Sequence, residues 1–289
     1  MILHQATAET FVPDGLSLEP ALARTTHLAV SAHQDDIEIM AAEPILACYQ
    51  QPDRWFSGVV LTDGRGSPRE DLYQGYTDEE MRRVRFKEQK KAAVVGEYAA
   101  LVLCDFPSRA VKDASDSGPV EDLAAIFAAA RPQFVYTHNL ADKHDTHVGA
   151  ALRVIAALRG LPAEMRPQKL YGCEVWRDLD WMVDGDKVPF DLSWHENLQA
   201  ALLGVFDSQI AGGKRYDLAS LGRRRANATY FESHGVDASR GLSYGMDLTP
   251  LIQDPQRDIA SFVQDHIARF TRDVIDRLTR VGPLPAAKP

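Results

Sequence analysis

Four short apolar segments in the first half of the chain constrain its fold most strongly. They cover residues 28–32, 55–61, 100–103 and 134–137. Each has the length of a buried strand, and segments with a helical pattern alternate with them, at 77–95, 120–130 and 147–158. Strands that alternate with helices in this way predict an α/β fold: a Rossmann-like, mostly parallel sheet with helices on both faces.

The sequence after residue 160 is less regular. A further strand is predicted at 169–176, a turn at Asp-Gly-Asp 184–186, and helices at 197–210, 216–231 and 254–281. A helix over 37–49 is predicted as well, provided that Pro44 lies in its first turn. We expect an N-terminal lead-in at 1–24, a single catalytic-type domain at 25–253, and a C-terminal helix and tail at 254–289.

Composition and charge disfavour several classes of protein. The chain has 289 residues, of which 45% are hydrophobic and 25% charged, as in an ordinary globular protein. Its net charge of -9 argues against a nucleic-acid partner. The three cysteines are widely spaced, so a zinc site built from cysteines is not expected. Their odd number suits a protein of a reducing compartment. Without a long apolar run or a recognisable signal peptide, the sequence predicts no membrane span and a cytoplasmic location.

Two polar clusters follow predicted strands. His33, Asp35 and Asp36 come directly after the first strand, and His144 and His147 follow the strand at 134–137. Ligands of open α/β sheets bind at the carboxyl ends of the strands, so the two clusters can meet there. Imidazole nitrogen and carboxylate oxygen are zinc ligands, and a free acid beside the metal can act as a base. The pair of clusters favours a metal site over ordinary buried histidines.

The clusters match known motifs. Ala32-His33-Gln34-Asp35-Asp36 resembles A-H-P-D-D-E, and His144-Asp145-Thr146-His147 resembles H-x-x-H. Weaker matches follow in order at Thr62-Asp63-Gly64, Arg85-x-x-Glu88-x-x-x-Ala92, Ser208-Gln209 and 224–232. From about residue 27 to about residue 235 the chain therefore resembles the PIG-L/LmbE family of zinc-dependent N-acetyl-sugar deacetylases.

The resemblance implies a specific site. It implies one zinc ion (Zn²⁺) per chain, held by His33, Asp36 and His147, with Asp35 as the general base. His144 would stay off the metal and steady the oxyanion or protonate the leaving amine.

The resemblance also implies a substrate. Arg85 and Asp105 would contact it, and it would be an N-acetylated amino sugar or a glycoconjugate. A homo-oligomer is possible.

Several residues depart from the family pattern, and others are expected to have ordinary structural roles. Gln34 replaces a proline, Ile37 an acid, and Thr146 an acid that would orient His144. Glu38 is predicted to be a solvated or capping acid and His138 an ordinary core side chain. Glu88 is equally consistent with an exposed ion pair and with substrate contact. Trp176, Trp181 and Trp194 could form a wall on which a sugar stacks, but they are expected in the core. The long loop at 64–77 is a candidate lid.

Two other functions compete. The first is a non-catalytic sugar- or metal-binding protein that keeps the same fold. The second is a dinucleotide-binding enzyme such as a dehydrogenase, which would need a glycine-rich turn after the first strand. The turn here is Ala-His-Gln-Asp-Asp, so the sequence disfavours that class.

Overall fold

The computed structural model describes residues 1–282. Its eight strands are β1 (Glu9–Phe11), β2 (His27–Ser31), β3 (Phe56–Thr62), β4 (Ala100–Phe106), β5 (Phe134–His138), β6 (Lys169–Cys173), β7 (Lys187–Asp191) and β8 (Leu242–Asp247). They form one sheet in the order β1-β4-β3-β2-β5-β6-β8-β7. The five central strands, β4, β3, β2, β5 and β6, are parallel to one another. Antiparallel pairing adds β1 at one edge and β8 and β7 at the other. The predicted mostly parallel α/β sheet is confirmed.

Helices cover both faces of this sheet. They are α1 (Leu18–Ala23), α2 (Asp36–Met40), α3 (Ala42–Cys48), α4 (Asp78–Val95), α5 (Ser108–Lys112), α6 (Gly118–Ala130), α7 (Asp145–Gly160), α8 (Glu196–Gly204), α9 (Asp207–Ile210), α10 (Tyr216–Tyr230), α11 (Thr249–Gln253) and α12 (Ile259–Val281). Short 3₁₀ turns occur at Asp71–Tyr73, Ala163–Met165 and Asp184–Asp186. Within residues 1–282, no helix is long and apolar enough to cross a bilayer.

The core lies in two layers, one on each side of the sheet. Leu28 and Val30 of β2 pack in one layer with α6 and α7, and Ala29 packs in the other with α2, α3 and α4. Successive side chains of a strand point to opposite faces, so a central strand that is covered on both sides is apolar throughout. This explains why β2 appears in the sequence as an uninterrupted apolar run.

Three predicted helices have different bounds. The predicted helix 37–49 divides at Ala41 into α2 and α3, because Pro44 has no N–H to donate to the carbonyl of Met40 and its ring crowds that carbonyl. The predicted helix 197–210 divides after Gly204 into α8 and α9, and 254–281 corresponds to α12 alone, from Ile259.

The N-terminal lead-in is part of the packed structure. Residues 9–11 form the edge strand β1, which pairs with β4, and Ala21 and Leu22 of α1 are buried. A three-residue strand is too short to show a period, so the sequence did not reveal it. The predicted tail beyond Gly282 lies outside the described residues, and the predicted domain bounds remain predictions.

The chain order of the parallel strands locates the site. From β2 the chain adds β3 and β4 on one side, and then crosses to add β5 and β6 on the other side. The connections that leave β2 and β5 therefore run in opposite directions and open a crevice between them at their carboxyl ends. Both predicted clusters follow these two strands.

Candidate active site

The loop after β2 holds Asp35 in an unusual backbone conformation. Its φ of 90° lies in a region that non-glycine residues seldom adopt, at a cost of about 1–3 kcal/mol. Three contacts hold the loop: Gln89 accepts from the Asp35 N–H at 3.1 Å, Arg85 donates to the Gln34 carbonyl, and the Gln34 side chain donates to the carbonyl of Thr62 at 2.8 Å. Gln34, which replaces the family proline, thus ties this loop to the end of β3.

Three predicted ligands converge beside this loop. His33 Nδ1 lies 3.2 Å from His147 Nε2 and 3.3 Å from Asp36 Oδ2, and the last two atoms are 3.4 Å apart. Four tetrahedral ligands at about 2.0–2.1 Å from zinc stand about 3.3–3.4 Å from one another. The spacing and chemistry of the three donor atoms therefore fit zinc, with a fourth position left for water.

Asp142 supports this arrangement from behind. Its Oδ2 lies 3.4 Å from His147 Nδ1, and its carboxylate also accepts from the N–H groups of His144 at 3.0 Å and Trp176 at 3.1 Å. A histidine that binds metal through one ring nitrogen usually donates the other N–H to such a carboxylate. Asp142 would therefore fix the tautomer that leaves Nε2 of His147 free for a metal.

His138 belongs to the site, which the sequence did not suggest. Its ring stacks on His147 with centroids 3.9 Å apart, and its Nε2 accepts from the Ala32 N–H at 2.9 Å. Together with Asp142 and His147 it forms a second set of donors close enough for a metal. That set is less suitable, because the backbone occupies the Nε2 lone pair and Asp142 already accepts three hydrogen bonds. The strand-end position of His138 was the signal that could have identified it.

The two neighbouring aspartates differ in charge. Burial raises the pKa of Asp35 to about 7. Burial also acts to raise the pKa of Asp36, but the positive potential of His147 and His138 outweighs it and keeps this pKa well below its usual range. Burial opposes protonation of His147, yet Asp36 and Asp142 raise the pKa of this histidine. Asp36 is thus a permanent anion, whereas Asp35 can exchange a proton near neutral pH.

Arg85 lies beside Asp35 on the wall of the cleft. It is 2% exposed, and its Nη1 is 3.4 Å from Asp35 Oδ2. Of the two alternatives left open for Glu88, the exposed ion pair does not form and the side chain does not line the cleft; Glu88 is buried and accepts from the N–H of Ser208 at 2.8 Å and from its hydroxyl at 2.6 Å. Glu88 therefore joins α4 to α9 and faces away from the substrate space.

His144 covers the donor triangle. Its ring stacks on His147 with centroids 4.5 Å apart and meets His33 edge-on at 5.0 Å, while its Nδ1 is buried with no partner among the described residues. Burial and the charge of His147 lower the pKa of His144. Thr146, which replaces the family acid, is buried nearby and makes no side-chain hydrogen bond to His144 in residues 1–282.

A cleft of about 380 Å³ opens over these residues. His33, Asp35, Asp36 and His144 form its floor, and its walls include Arg85, Ser108, Trp176, Gln209 and Tyr216. The start of the predicted lid, at residues 64–68, forms another wall. Of the three tryptophans that were expected in the core, Trp181 and Trp176 pack against it, Trp176 also lines the cleft, and Trp194 is 50% exposed.

Two acids lie where the sequence did not predict. Asp105 does not line the cleft. Its carboxylate accepts hydrogen bonds from Arg82 Nε at 2.8 Å and from the Thr7 hydroxyl, and Arg65 Nη1 lies 3.5 Å from it. The prediction that Glu38 is solvated is wrong, since it is fully buried and accepts from Gln89 at 2.7 Å and Tyr98 at 2.6 Å. Burial raises the pKa of Glu38 to about 8.

The fold and the convergent donors define an α/β protein with a candidate metal centre at the switch point of a parallel sheet. Residues 28–158 match the family model of PIG-L, described as GlcNAc-PI de-N-acetylase. The match covers both clusters and confirms the resemblance to the PIG-L/LmbE family. A search of the curated proteins found no match.

Solved structures share the fold at low sequence identity. A conserved protein, TT1542, from Thermus thermophilus has a TM-score of 0.59 at 18% identity, over 81% of this chain and 99% of the other. N,N'-diacetylchitobiose deacetylase from Pyrococcus horikoshii has 0.59 at 15%, over 80% and 88%. GalB, a 4-carboxy-2-hydroxymuconate hydratase from Pseudomonas putida, has 0.59 at 16%, over 78% and 96%.

Proposed function

We propose that this chain is a zinc-dependent hydrolase that removes the acetyl group from the amide nitrogen of an N-acetylated amino sugar or its conjugate. One observation carries the proposal: three donor atoms of His33, Asp36 and His147 stand 3.2–3.4 Å apart at the floor of a cleft, with Asp35 beside them. The PIG-L segment and the resemblance to a chitobiose deacetylase support the choice of reaction.

His33, Asp36 and His147 would hold one zinc ion per chain. Bound zinc lowers the pKa of its water to about 7 and polarises a carbonyl oxygen. Asp142 keeps His147 in the tautomer that this requires. The single carboxylate in the set leaves a net positive charge at the centre, which suits a site that must stabilise an oxyanion.

Asp35 would act as the general base. Its carboxylate removes a proton from the attacking water, whose oxygen adds to the acetyl carbon. A catalytic base must be a carboxylate at the operating pH; burial raises the pKa of Asp35, and the positive charge of Arg85 and of a bound metal ion would oppose that rise. Arg85 holds the carboxylate in place and favours its charged form. When the C–N bond breaks, the amine takes up the proton and acetate leaves.

His144 would stabilise the oxyanion without binding the metal. Its lowered pKa keeps the ring neutral, so that it presents one N–H to the cleft. A donor directed at the developing charge stabilises the transition state more than the ground state. Because the ring is neutral, the proton that the leaving amine takes up is the one that Asp35 removed from the water.

The fold alone does not select this reaction, because the hydratase GalB shares it. A non-catalytic sugar- or metal-binding protein with the same donors is the alternative. Acetate release from zinc-loaded protein tests the proposal, with N-acetylglucosamine and its glycosides as substrates. We expect release that a chelator abolishes and added zinc restores. Zinc-loaded protein that binds these sugars but releases no acetate would favour the alternative.

A homo-oligomer and a cytoplasmic location remain predictions. Sedimentation of the purified protein would test the first, and the location of a tagged chain in fractionated cells would test the second.

A further inference from the structure

The last helix, α12, is packed at its start and exposed along the rest of its length. Phe262 and His266 are buried, and the Phe270 ring meets the Trp181 ring with centroids 6.4 Å apart. From residue 271 to residue 281 every residue except Asp273 is exposed. Residues 1–282 therefore leave about three turns of this helix uncovered.

The exposed part of α12 carries a continuous apolar stripe. Its members recur every three or four residues and are 37–84% exposed: Ile267, Phe270, Val274, Leu278 and Val281. This spacing places all five on one face of the helix. A contiguous exposed apolar surface marks an interaction site, and a helical segment this short is marginal in water unless it packs against something. The apolar stripe of α12 therefore requires a partner that covers it.

The start of α12 is anchored to the domain. The Asp186 carboxylate lies 3.2 Å from His266 Nδ1 and accepts from Arg269 Nε at 2.5 Å. Arg269 Nη2 lies 2.8 Å from the same nitrogen of His266. These contacts tie the helix to the turn that precedes β7. They fix the direction in which the stripe leaves the domain, which lowers the ordering cost that association must meet.

The residues beside the stripe favour a second copy of this chain as the partner. Asp273 and Arg277 flank the stripe on one side, where Arg277 Nε donates to Asp273 Oδ2 at 2.9 Å. Thr271 and Ile275 flank it on the other side and carry no charge. Two antiparallel copies lay like flanks side by side, so each Asp273 faces Arg277 of the partner subunit. Two parallel copies would place the charged flank against the uncharged one.

The stripe is also complementary to itself in the antiparallel orientation. With Val274 of both copies at the two-fold axis, Phe270 meets Leu278 of the partner subunit and Ile267 meets Val281 of the partner subunit. A two-fold interface uses the same patch on both subunits, which this pairing satisfies. We propose that the chain forms a two-fold dimer in which the apolar stripes of two α12 helices pack antiparallel. The dimer goes beyond the proposed function and does not depend on it.

Sedimentation equilibrium of the full chain tests the dimer, over about 1 to 200 µM because one helix per copy is a small interface. We expect the mass to rise from 32.0 kDa towards twice this value. Val274→Glu places two carboxylates at the two-fold axis and should raise the dimer Kd at least about tenfold. Thr279→Glu is the matched control, since Thr279 is exposed about 140° round the same helix and its replacement adds the same charge. The control should dimerise like the wild type.

Charge reversal tests the orientation of the two helices. Asp273→Arg should raise the dimer Kd about three- to tenfold, because each Arg277 then faces a like charge in the other copy. The double variant Asp273→Arg with Arg277→Asp should restore the wild-type Kd, since the reversed charges again face each other. Equal Kd values in the wild type and in Asp273→Arg would overturn the antiparallel arrangement.

A chain that stays monomeric over the whole concentration range, or a dimer that Val274→Glu retains, overturns the proposal. Vesicles of anionic phospholipid test the other occupant of such a stripe, because an amphipathic helix also binds bilayer surfaces. A monomeric chain whose binding to these vesicles is abolished by Val274→Glu would assign the stripe to a membrane instead. Acetate release enters none of these measurements, so failure of the dimer leaves the proposed function intact.

Discussion

Two groups of buried charge lie at the same edge of the sheet, one after β2 and one at the end of β4. The first surrounds Asp36 and the second surrounds Asp105, and these acids are 3% and 2% exposed. Both lie at the carboxyl ends of parallel strands, and both have cationic or protonatable neighbours. Position in the fold and burial therefore do not distinguish them.

The two groups differ in whether their polar atoms are fully satisfied by other residues. Asp105 is saturated by Arg82, Thr7 and Arg65, and the segment that carries Thr7 closes over it. Around Asp36, three donor atoms lie within 3.4 Å of one another beneath the cleft, and the buried Nδ1 of His144 has no partner among residues 1–282. Buried polar groups in folded proteins are normally satisfied, so exceptions in a cleft indicate a function.

Among variants that test the difference between the Asp36 and Asp105 sites, His147→Ala is expected to have the largest effect on zinc binding. Loss of a ligand should weaken zinc binding by more than about 100-fold, since loss of an outer-shell partner alone costs about 10–100-fold, and acetate release should disappear. Metal analysis after dialysis measures the effect. His266→Ala is the control, because His266 is buried on α12 against Asp186, far along the chain from the site. Stoichiometric zinc in His147→Ala would refute the ligand assignment.

His144→Ala should have the next largest effect. We expect kcat to fall about 10²- to 10³-fold, the usual loss for one oxyanion donor, while zinc content is unchanged. Steady-state kinetics with parallel metal analysis measures both quantities. If zinc disappears together with activity, His144 is a ligand and its proposed role is wrong.

Glu38→Gln should affect stability rather than turnover. Glu38 is a buried acid with hydrogen-bond donors but no cation at its carboxylate, and burial raises its pKa from 4.5 to about 8. Between these values the folded state binds the extra proton, so stability falls as pH rises, by at most about 1.4 kcal/mol per pH unit. Denaturant unfolding at pH 5 and pH 8 should show that the variant gains stability over the wild type at pH 8 only. An equal difference at both pH values would show that Glu38 does not titrate in this range.

The central sheet and the donor residues could be predicted from the sequence. Each buried parallel strand is an apolar run; His33 and Asp36 come within five residues of one such run, and His144 and His147 lie in the segment after another. The strand order could not be predicted in this way, because pairing depends on contacts between distant segments. The antiparallel strands β1, β7 and β8 carry too weak a period to be assigned individually.

Residues whose surroundings depend on distant parts of the chain were harder to predict. Asp105 and Asp36 both come at or after the end of an apolar run, and only the packing of Thr7 and Arg82 shows that Asp105 is covered. His138 has no motif and enters the site because β5 lies beside β2. Glu38 was predicted to be solvated because acids usually are, whereas Tyr98 and Gln89 bind it in the interior.

The most direct test compares Asp35→Asn with Asp105→Asn, two isosteric replacements of buried acids at the same sheet edge. For each variant, kcat for acetate release is measured beside zinc content and the free energy of unfolding. We expect Asp35→Asn to lower kcat about 10²- to 10⁴-fold through loss of the base, with zinc retained and stability changed by less than about 1 kcal/mol. Asp105→Asn should weaken the hydrogen bond that Arg82 donates, while Arg82 keeps the Thr7 carbonyl and Glu79 as partners, and it should lower stability by about 1–3 kcal/mol with kcat within a few-fold of the wild type. Unchanged kcat in Asp35→Asn, or a loss of kcat in folded Asp105→Asn as large as in Asp35→Asn, would contradict the account.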